Sequence, residues 1–437
     1  MNKFYIIIVS LLLLTTACDN DLDQFPTNIA SANSLTDFAG VLNASYFYHH
    51  SGATPMAVMG DFRADNALML EPPYTEFDKY GPDLTVMEDQ FFGPFYTGMY
   101  KAILSANNVI ENSQDATEVG EAKFLRALAY FKLVRVFGDV SINLSATPNP
   151  TDEAVLVRKP ASEVYNTVII PDFMDAMAAL GTSVNGRASK LAAQGMLGKV
   201  YMQIRDYGNA ETILATAVNG ASAAGVSLQE NFNEIFGATY DLNPEIIYAT
   251  QISGSISDEY GFSEFWSWYG GLDTKSLMPL DPDLIAAFDA SPGDLRREVT
   301  INDTLLASPK YPQTNGPDHD WIELRLADVM LLYSEALNEN GASGEAVLDV
   351  LDPIRERAGL EPLDHNVLTT ADARAQAIQD ERRLELAFEG QRWFDLVRTG
   401  TVDQEMGQMI NSNYYLFPIP MSEINASFQV ITQNPGY

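Results

Sequence analysis

One stretch, AIQDERRLELAFEGQRWFDLVRTG at Ala377–Gly400, constrains this 437-residue chain more than any other. Leu384, Ala387 and Phe388 recur at the spacing of one helical face, which predicts an apolar helical stripe. Gly390 is predicted to end that stripe in a left-handed conformation. A second, shorter apolar run follows and also ends at a glycine. The stretch therefore predicts two helices joined at a glycine.

Charged residues are interleaved with the apolar residues of this stretch. They are Glu381, Arg382, Arg383, Glu385, Glu389, Arg392, Asp395 and Arg398. Charges beside large aromatic rings are costly unless they are paired. One interpretation takes a carboxylate here as a general acid or base. We favour the other, a set of ion pairs that locks helices together, because such networks more often specify packing. The spacing predicts a pair between Arg392 and Asp395.

A repeat unit is clearest at Ser189–Gly220. The Leu-Gly-x-x-Tyr run at 197–201, followed by Ala210 and Leu214, tracks the tetratricopeptide pattern of two antiparallel helices. The small Gly198 and Ala210 would let the two helices approach closely. Because one such pair cannot bury its own apolar face, flanking helices are expected to stack on it.

Two further segments predict regular structure in the second half. Pro244–Tyr248 is apolar and short, as expected for a strand. A helix is predicted to begin at Trp321 and to continue to Leu337, and its apolar residues lie on nearly every face, which predicts burial. Arg325 and Asp328 are expected to pair along it.

The chain is strongly acidic. Lys and Arg total 26 against 59 Asp and Glu, for a formal charge of −33. A surface of that sign repels phosphate backbones, so nucleic acid is not an expected partner. It also disfavours strongly anionic polymers.

The N-terminus predicts export. Lys3 precedes the apolar run Phe4–Leu14, and small residues then lead to Cys18, the single cysteine. Residues 1–17 are typical of a signal peptide and too short for a comfortable membrane span. A buried free cysteine is the alternative for Cys18. We favour lipidation, because the segment resembles a bacterial lipoprotein box, and acyl chains would hold the protein at a membrane. Residues 18–30 then form an acidic tether.

A region rich in glycine and proline follows the first predicted helix. His50–Phe95 contains too many helix breakers for a long helix, and a structureless loop of this length is usually functional. It supplies Asp61, Arg63, Tyr74 and Phe92 as candidate ligand contacts.

A second aromatic-rich segment lies between glycines. It holds six aromatic residues, which are Tyr260, Phe262, Phe265, Trp266, Trp268 and Tyr269. Indole and phenol rings offer flat surfaces for the C–H faces of sugars, so the segment is a candidate stacking platform. The alternative is a loop that packs its rings into a satellite core. The residues alone leave both interpretations open.

Motifs for other chemistry are absent from the sequence. It has no GxGxxG, P-loop, HExxH or GxSxG motif. The spacing of His49, His50, His319 and His365 fits no metal-ligand pattern. Glycoside hydrolysis needs two placed carboxylates, and nothing in the sequence selects a pair. We therefore predict no catalytic residue, no metal and no cofactor.

The charged stretch also resembles a family signature. The run Glu381-Arg-Arg-x-Glu-Leu-x-x-Glu-Gly-x-Arg-Trp-x-Asp-Leu-x-Arg398 is similar to the signature of SusD/RagB outer-membrane lipoproteins. Segments 96–110, 121–137, 325–336 and 416–437 extend the resemblance over nearly the whole mature chain. It implies a mainly α-helical, tetratricopeptide-like scaffold with long irregular loops and a few short strands. The expected domain is 31–437, divided into 31–240 and 241–437.

The resemblance also implies a function. Members of this family are the glycan-binding partners of TonB-dependent, SusC-like transporters in Bacteroidetes, lipid-anchored on the outer membrane at the cell surface. It favours the stacking-platform interpretation, without catalysis. The expected sugar-binding residues are Trp266, Trp268, Tyr260, Tyr269, Asp61, Arg63, Tyr74, Phe92 and Tyr96. Alternatives are a surface subunit for peptide or other nutrient uptake, and a surface glycosidase. The acidic charge favours a neutral β-glucan over alginate.

Overall fold

The structure, a computed structural model, describes residues 38–149, 152–255, 264–272, 278–312 and 318–437. Residues Ala39–Tyr437 form one compact unit. The predicted signal peptide, Cys18 and the acidic tether lie outside the described residues, as does Tyr260. Within the described residues, no helix has both the length and the apolar character needed to cross a membrane.

Long α-helices form the frame. The helices of eight residues or more are α1 Ala39–Tyr48, α2 Gly93–Asn112, α3 Ala116–Phe137, α4 Ile170–Ala179, α5 Lys190–Gln203, α6 Tyr207–Ala221, α7 Pro282–Asp289, α8 Leu326–Glu339, α9 Gly344–Arg357, α10 Ala371–Leu386 and α11 Arg392–Thr399. Helices α1 to α6 each pack against the next one along the chain, and α8 then packs on α6. This arrangement confirms the mainly α-helical, helical-pair scaffold.

Three pairs of these helices are joined by short connections, namely α2 with α3, α5 with α6, and α8 with α9. In each pair, a polar residue caps the start of one helix. Its side chain accepts a hydrogen bond from a backbone N–H group that has no partner within the helix. Asp115 accepts from Thr117 N before α3. Ser189 does the same before α5, and Ser343 before α9.

The pair α5 and α6 is the predicted repeat unit. Gly198 lies where the two helices meet, and a Cβ atom built there would lie 2.3 Å from Cδ2 of Leu214. Ala210 and Leu214 are fully buried on the facing helix. The close approach predicted from Gly198 and Ala210 is therefore present, and any larger residue at 198 forces Leu214 to move.

Two small antiparallel ladders complete the frame. Strand β1 Val140–Ser141 pairs with β2 Arg158–Lys159, and β3 Ile246–Thr250 pairs with β4 Trp321–Arg325. The strand predicted at Pro244–Tyr248 is confirmed, although it lies two residues later, at Ile246–Thr250. The helix predicted over Trp321–Leu337 is present from Leu326, where α8 begins, and only its predicted start at Trp321 is wrong, because residues 321–325 form β4. A five-residue apolar run carries too little periodicity to distinguish a strand from a buried helix.

Short helical turns fill the remaining chain. The α-helical ones are Ala53–Ala57, Glu76–Lys79, Glu153–Leu156, Ala161–Val164, Phe265–Tyr269, Arg296–Thr300, Val402–Glu405 and Met421–Ala426. The region 50–95 has no long helix, as predicted, but it is not an open loop. Residues 51–67 are buried throughout and belong to the core. Their apolar run, ATPMAVMG, was the sequence signal for this burial.

We predict that Gly198→Ala lowers the free energy of unfolding by about 1–3 kcal/mol, because overpacking displaces Leu214. The matched control is Gly208→Ala near the start of α6, where a new Cβ meets nothing within 4 Å. Alanine favours helix over glycine, so this control should be neutral or stabilising by up to about 1 kcal/mol. Urea denaturation followed by circular dichroism measures both. Equal effects of the two substitutions would contradict the close packing.

Candidate functional site

The predicted stacking platform is one helical turn. Phe265–Tyr269 is helical, so Trp266 and Trp268, two positions apart, point in directions about 200° apart. Trp266 is half-buried, whereas the side chain of Trp268 is 2% exposed. The ring of Trp266 lies beside that of His319, with centroids 6.2 Å apart. The two indoles therefore do not share one surface.

Trp268 belongs to an aromatic core. Its ring meets those of Phe62, Tyr74 and Phe91 edge-on, at centroid distances of 6.1, 5.5 and 5.8 Å. Tyr74 is itself 9% exposed. In this structure neither ring has a face open to a sugar, so the satellite-core interpretation describes Trp268 and Tyr74.

Tyr269 is buried as well, and it is hydrogen-bonded. Its ring stacks on Phe62 at 5.7 Å and on Tyr311 at 6.0 Å. Its hydroxyl donates to Asp61 Oδ2 at 2.7 Å. Both faces and the hydroxyl are thus used inside the protein, which leaves no group of Tyr269 for a ligand.

Asp61 accepts hydrogen bonds within the core. Besides Tyr269, the backbone N–H of Gly390 donates to it at 2.7 Å, and Asn66 donates at 3.2 Å. Burial raises the pKa of Asp61 to about 6, and these three donors oppose that rise. The carboxylate predicted to contact sugar hydroxyls is instead a buried anchor for the turn at Gly390.

That turn requires glycine on both sides. Gly390 has φ +68°, as predicted, and a Cβ atom there would lie 2.8 Å from the ring of Trp321. A Cβ atom on Gly60 would lie 2.2 Å from the carbonyl oxygen of Gly390. The two backbones therefore touch, which places Asp61 directly beneath the turn.

Arg63 and Phe92 are also interior residues. The Arg63 guanidinium donates to the carbonyls of Phe77 at 2.7 Å and Tyr414 at 2.9 Å, and it lies 4.5 Å from the ring centre of Tyr80. Phe92 is 0% exposed and packs on Phe77. Sequence alone marked them as loop residues, because the helical turns of this region are too short to show a period.

Tyr96 has a different environment. Its ring lies 4.7 Å from that of Tyr100, and both line a pocket beside α2. Glu423 lines the same pocket. Of these three residues, only Tyr96 was predicted as a ligand contact from the sequence. Glu423 lies more than 300 positions away along the chain, so no local pattern connects it to Tyr96. The i, i+4 spacing of the two tyrosines was the available signal.

The carboxylates of the charged stretch are paired with cations. Glu385 accepts from Arg325 at 2.6 Å and from Arg296 at 2.9 Å, and Arg357 also bonds to it. Glu389 accepts from Lys310 at 2.7 Å and from Arg325. Although burial alone would raise the pKa of Glu385, the three guanidiniums hold it below its usual range. These acids stay ionised, so they cannot serve as proton donors near neutral pH.

Arg325 lies at the centre of this network. Its guanidinium makes five hydrogen bonds, to the side chains of Glu245, Glu385 and Glu389 and to the backbone of Glu385. That matches the five donors a guanidinium carries. The pair predicted between Arg325 and Asp328 is wrong. Arg325 ends β4 and is not helical, so the two side chains do not share a helical face.

Further pairs connect α10 and α11 to the rest of the frame. Arg382 bridges Asp328 and Asp395, both at 2.9 Å. Arg392 pairs with Asp65 at 2.7 Å and with Glu405 at 2.8 Å, so its predicted pairing with Asp395 is wrong. Helical spacing only permits a pair, and partners from other segments offered better geometry. The structural interpretation of the stretch is confirmed.

Two protein-family models match parts of this chain. The chain matches a model described as the SusD family at residues 300–413, and one described as starch-binding associating with outer membrane at residues 17–202. It is 25% identical to SusD-like protein P2 of Formosa agariphila, over 100% of both chains.

Solved structures share the fold. A SusD superfamily protein from Parabacteroides distasonis superposes with a TM-score of 0.75 at 22% identity, over 94% of this chain and 100% of the other. A laminarin-binding SusD-like protein gives a TM-score of 0.74 at 24% identity, over 92% and 99%. Their identity to this chain supports a common fold and carries no residue assignments.

We predict that Arg296→Met lowers the free energy of unfolding by about 3–5 kcal/mol, because it leaves Asp294, Glu381 and Glu385 buried without this partner. The neighbouring Arg297 provides the control. It is 29% exposed and pairs with Asp289 and Asp303, so Arg297→Met should cost less than about 1 kcal/mol. Urea denaturation, which leaves ionic strength unchanged, measures both. A loss of the same size in the two variants would contradict the network's importance.

Proposed function

Because this chain belongs to the SusD family, we propose that it is a cell-surface lipoprotein that captures oligosaccharide or polysaccharide and delivers it to a SusC-like, TonB-dependent transporter in the outer membrane. The observation that carries the proposal is agreement of the family match with a SusD-type fold over more than nine-tenths of the chain. A relative described as laminarin-binding and a model described as starch-binding support a glycan as the ligand.

Capture by this protein needs no bond making or breaking. Sugar rings bind proteins through C–H faces against aromatic rings and through hydroxyl groups against polar side chains. The carboxylates of the charged stretch are committed to ion pairs, which argues against a hydrolytic role for them. The formal charge of −33 supports a neutral glycan, such as a β-glucan, over an anionic one.

Trp266 is the residue that we propose for stacking. Among the expected platform residues that the structure describes, Trp266 is half-buried, whereas Trp268 and Tyr269 are buried. It lies on the outward side of its helical turn, opposite the buried Trp268. Tyr260, from the same segment, remains part of the proposal as a second ring.

The anchor is proposed from the N-terminal sequence. Cys18 follows a signal-like apolar run, and its acylation would tether the domain at the membrane through residues 18–30. The matched model described as associating with the outer membrane begins at residue 17, beside this cysteine. A tethered binding domain raises the local concentration of glycan near the transporter that takes it up.

We predict that Trp266→Ala weakens binding of the mature chain to laminarin by about tenfold, the loss of roughly 1.4 kcal/mol expected for a stacking ring. Phe47→Ala is the matched control, because this ring is 39% exposed and lies in α1, outside the proposed site. Affinity electrophoresis in laminarin gels measures both, preceded by an array of neutral glycans.

Three results decide between the possibilities. Binding that Trp266→Ala abolishes or weakens, and that Phe47→Ala leaves unchanged, supports the proposal. Unchanged binding by Trp266→Ala moves the site elsewhere. Failure of the wild-type chain on every neutral glycan would contradict glycan capture and favour uptake of a peptide or other nutrient.

A further inference from the structure

A pocket of about 350 Å³ lies beside α2, apart from the turn that carries Trp266. Its walls come from α2, from the segments around β1 and residues 155–156, and from the C-terminal residues Glu423 and Ile431. Pockets that hold small ligands occupy about 300–1,000 Å³, so this one suits one or two sugar units rather than a long chain.

The floor of the pocket is aromatic. Tyr96 and Tyr100 lie one helical turn apart, with ring centroids 4.7 Å apart. The Tyr100 hydroxyl donates to the carbonyl of Ser141 at 2.8 Å, which fixes the orientation of its ring. Tyr100 is half-buried where it lines the pocket. A fixed, partly open phenol ring provides the kind of surface on which the C–H face of a pyranose packs.

Aliphatic side chains continue this apolar surface. Leu104, one turn beyond Tyr100 on α2, is 39% exposed and borders the pocket. Leu156 and Ile431 line the other walls. Exposed leucines are common, but one beside a pocket of this volume leaves apolar surface that a bound ligand would cover.

Polar groups meet this surface at one edge. Glu423 lines the pocket and is hydrogen-bonded by Thr97 on α2. Burial raises the pKa of Glu423, the Thr97 hydrogen bond opposes the rise, and the nearby charge of Glu88 adds to it. The Glu423 carboxylate so placed accepts hydrogen bonds from sugar hydroxyls and repels anionic groups, and the nearby charge of Glu88 adds to that repulsion.

Lys101 also lines the pocket, but it does not reverse the preference for neutral over anionic ligands. Its ammonium lies 5.7 Å from the ring centre of Tyr48. Among the described residues, no ion pair joins it to Glu423. The charges beside the pocket therefore favour a neutral ligand over a uronic or sulfated sugar.

We propose that this pocket is a second glycan site, which binds one or two units of a neutral sugar, with Tyr100 as the stacking ring and Glu423 as the hydroxyl acceptor. The proposal rests on the glycan-binding function proposed above and adds a site that shares no residue with the Trp266 turn. A short-chain site beside a longer binding surface would let the protein hold a chain end as well as its interior.

The test uses the mature chain and saturation-transfer NMR with three neutral disaccharides, namely laminaribiose, cellobiose and maltose. An alginate disaccharide serves as the anionic comparison. Leu104→Trp places a bulky indole ring in the lining of the pocket, so it should weaken disaccharide binding by about tenfold or more. Met174→Trp is the matched control, because Met174 is 51% exposed on α4 and lies outside the pocket. Glu423→Gln removes the charge with little change of shape and should weaken binding severalfold.

The expected result is transfer to at least one neutral disaccharide and none to the alginate disaccharide. That transfer should be lost in Leu104→Trp and retained in both Met174→Trp and Trp266→Ala. No transfer to any of the three, or equal transfer to the wild type and Leu104→Trp, overturns the second site. If laminarin gels still retard the wild type, the proposed function stands. If no neutral glycan binds the wild type in either assay, the proposed function itself fails.

Discussion

The fold depends on a group of charges that are buried together. Arg325, at the end of a strand, and Glu385, on α10, lie at the centre, and both are fully buried. Taking such groups out of water costs several kcal/mol per ion, and that cost is offset only when the remaining donors and acceptors are satisfied. Here they are, because all five guanidinium donors of Arg325 have acceptors.

This requirement brings distant parts of the chain together. Glu245 directly precedes β3, Arg357 ends α9, and Arg296 begins a short helix, and each of the three pairs with Arg325 or with Glu385. A second constraint is added where the backbones of Gly60 and Gly390 touch above Asp61. These interior contacts hold the frame, and we propose that ligands bind at the outer surfaces, at Trp266 and at the pocket beside α2.

The sequence predicted the helical scaffold because its signals are local. The tetratricopeptide pattern predicted the pair α5 and α6, and the 3.6-residue period with a glycine stop predicted the turn at Gly390. The ion-pair partners were not predictable, because Arg392 pairs with Asp65, 327 positions away. Trp268 was misplaced for a related reason. Whether two indoles share a surface depends on one turn of helix, which a five-residue segment does not reveal.

Native-state hydrogen exchange tests most directly whether the buried charges hold the frame. If they do, the amides of Glu385, Glu389 and Gly390 should exchange only through global unfolding, with an opening free energy equal to that from urea denaturation. Amides of the short helix Glu153–Leu156, none of whose residues is buried, should exchange faster, through local opening. An opening free energy at residues 385–390 well below the global value would contradict the account, because it would show that the rest of the fold persists while the charged turn is undone.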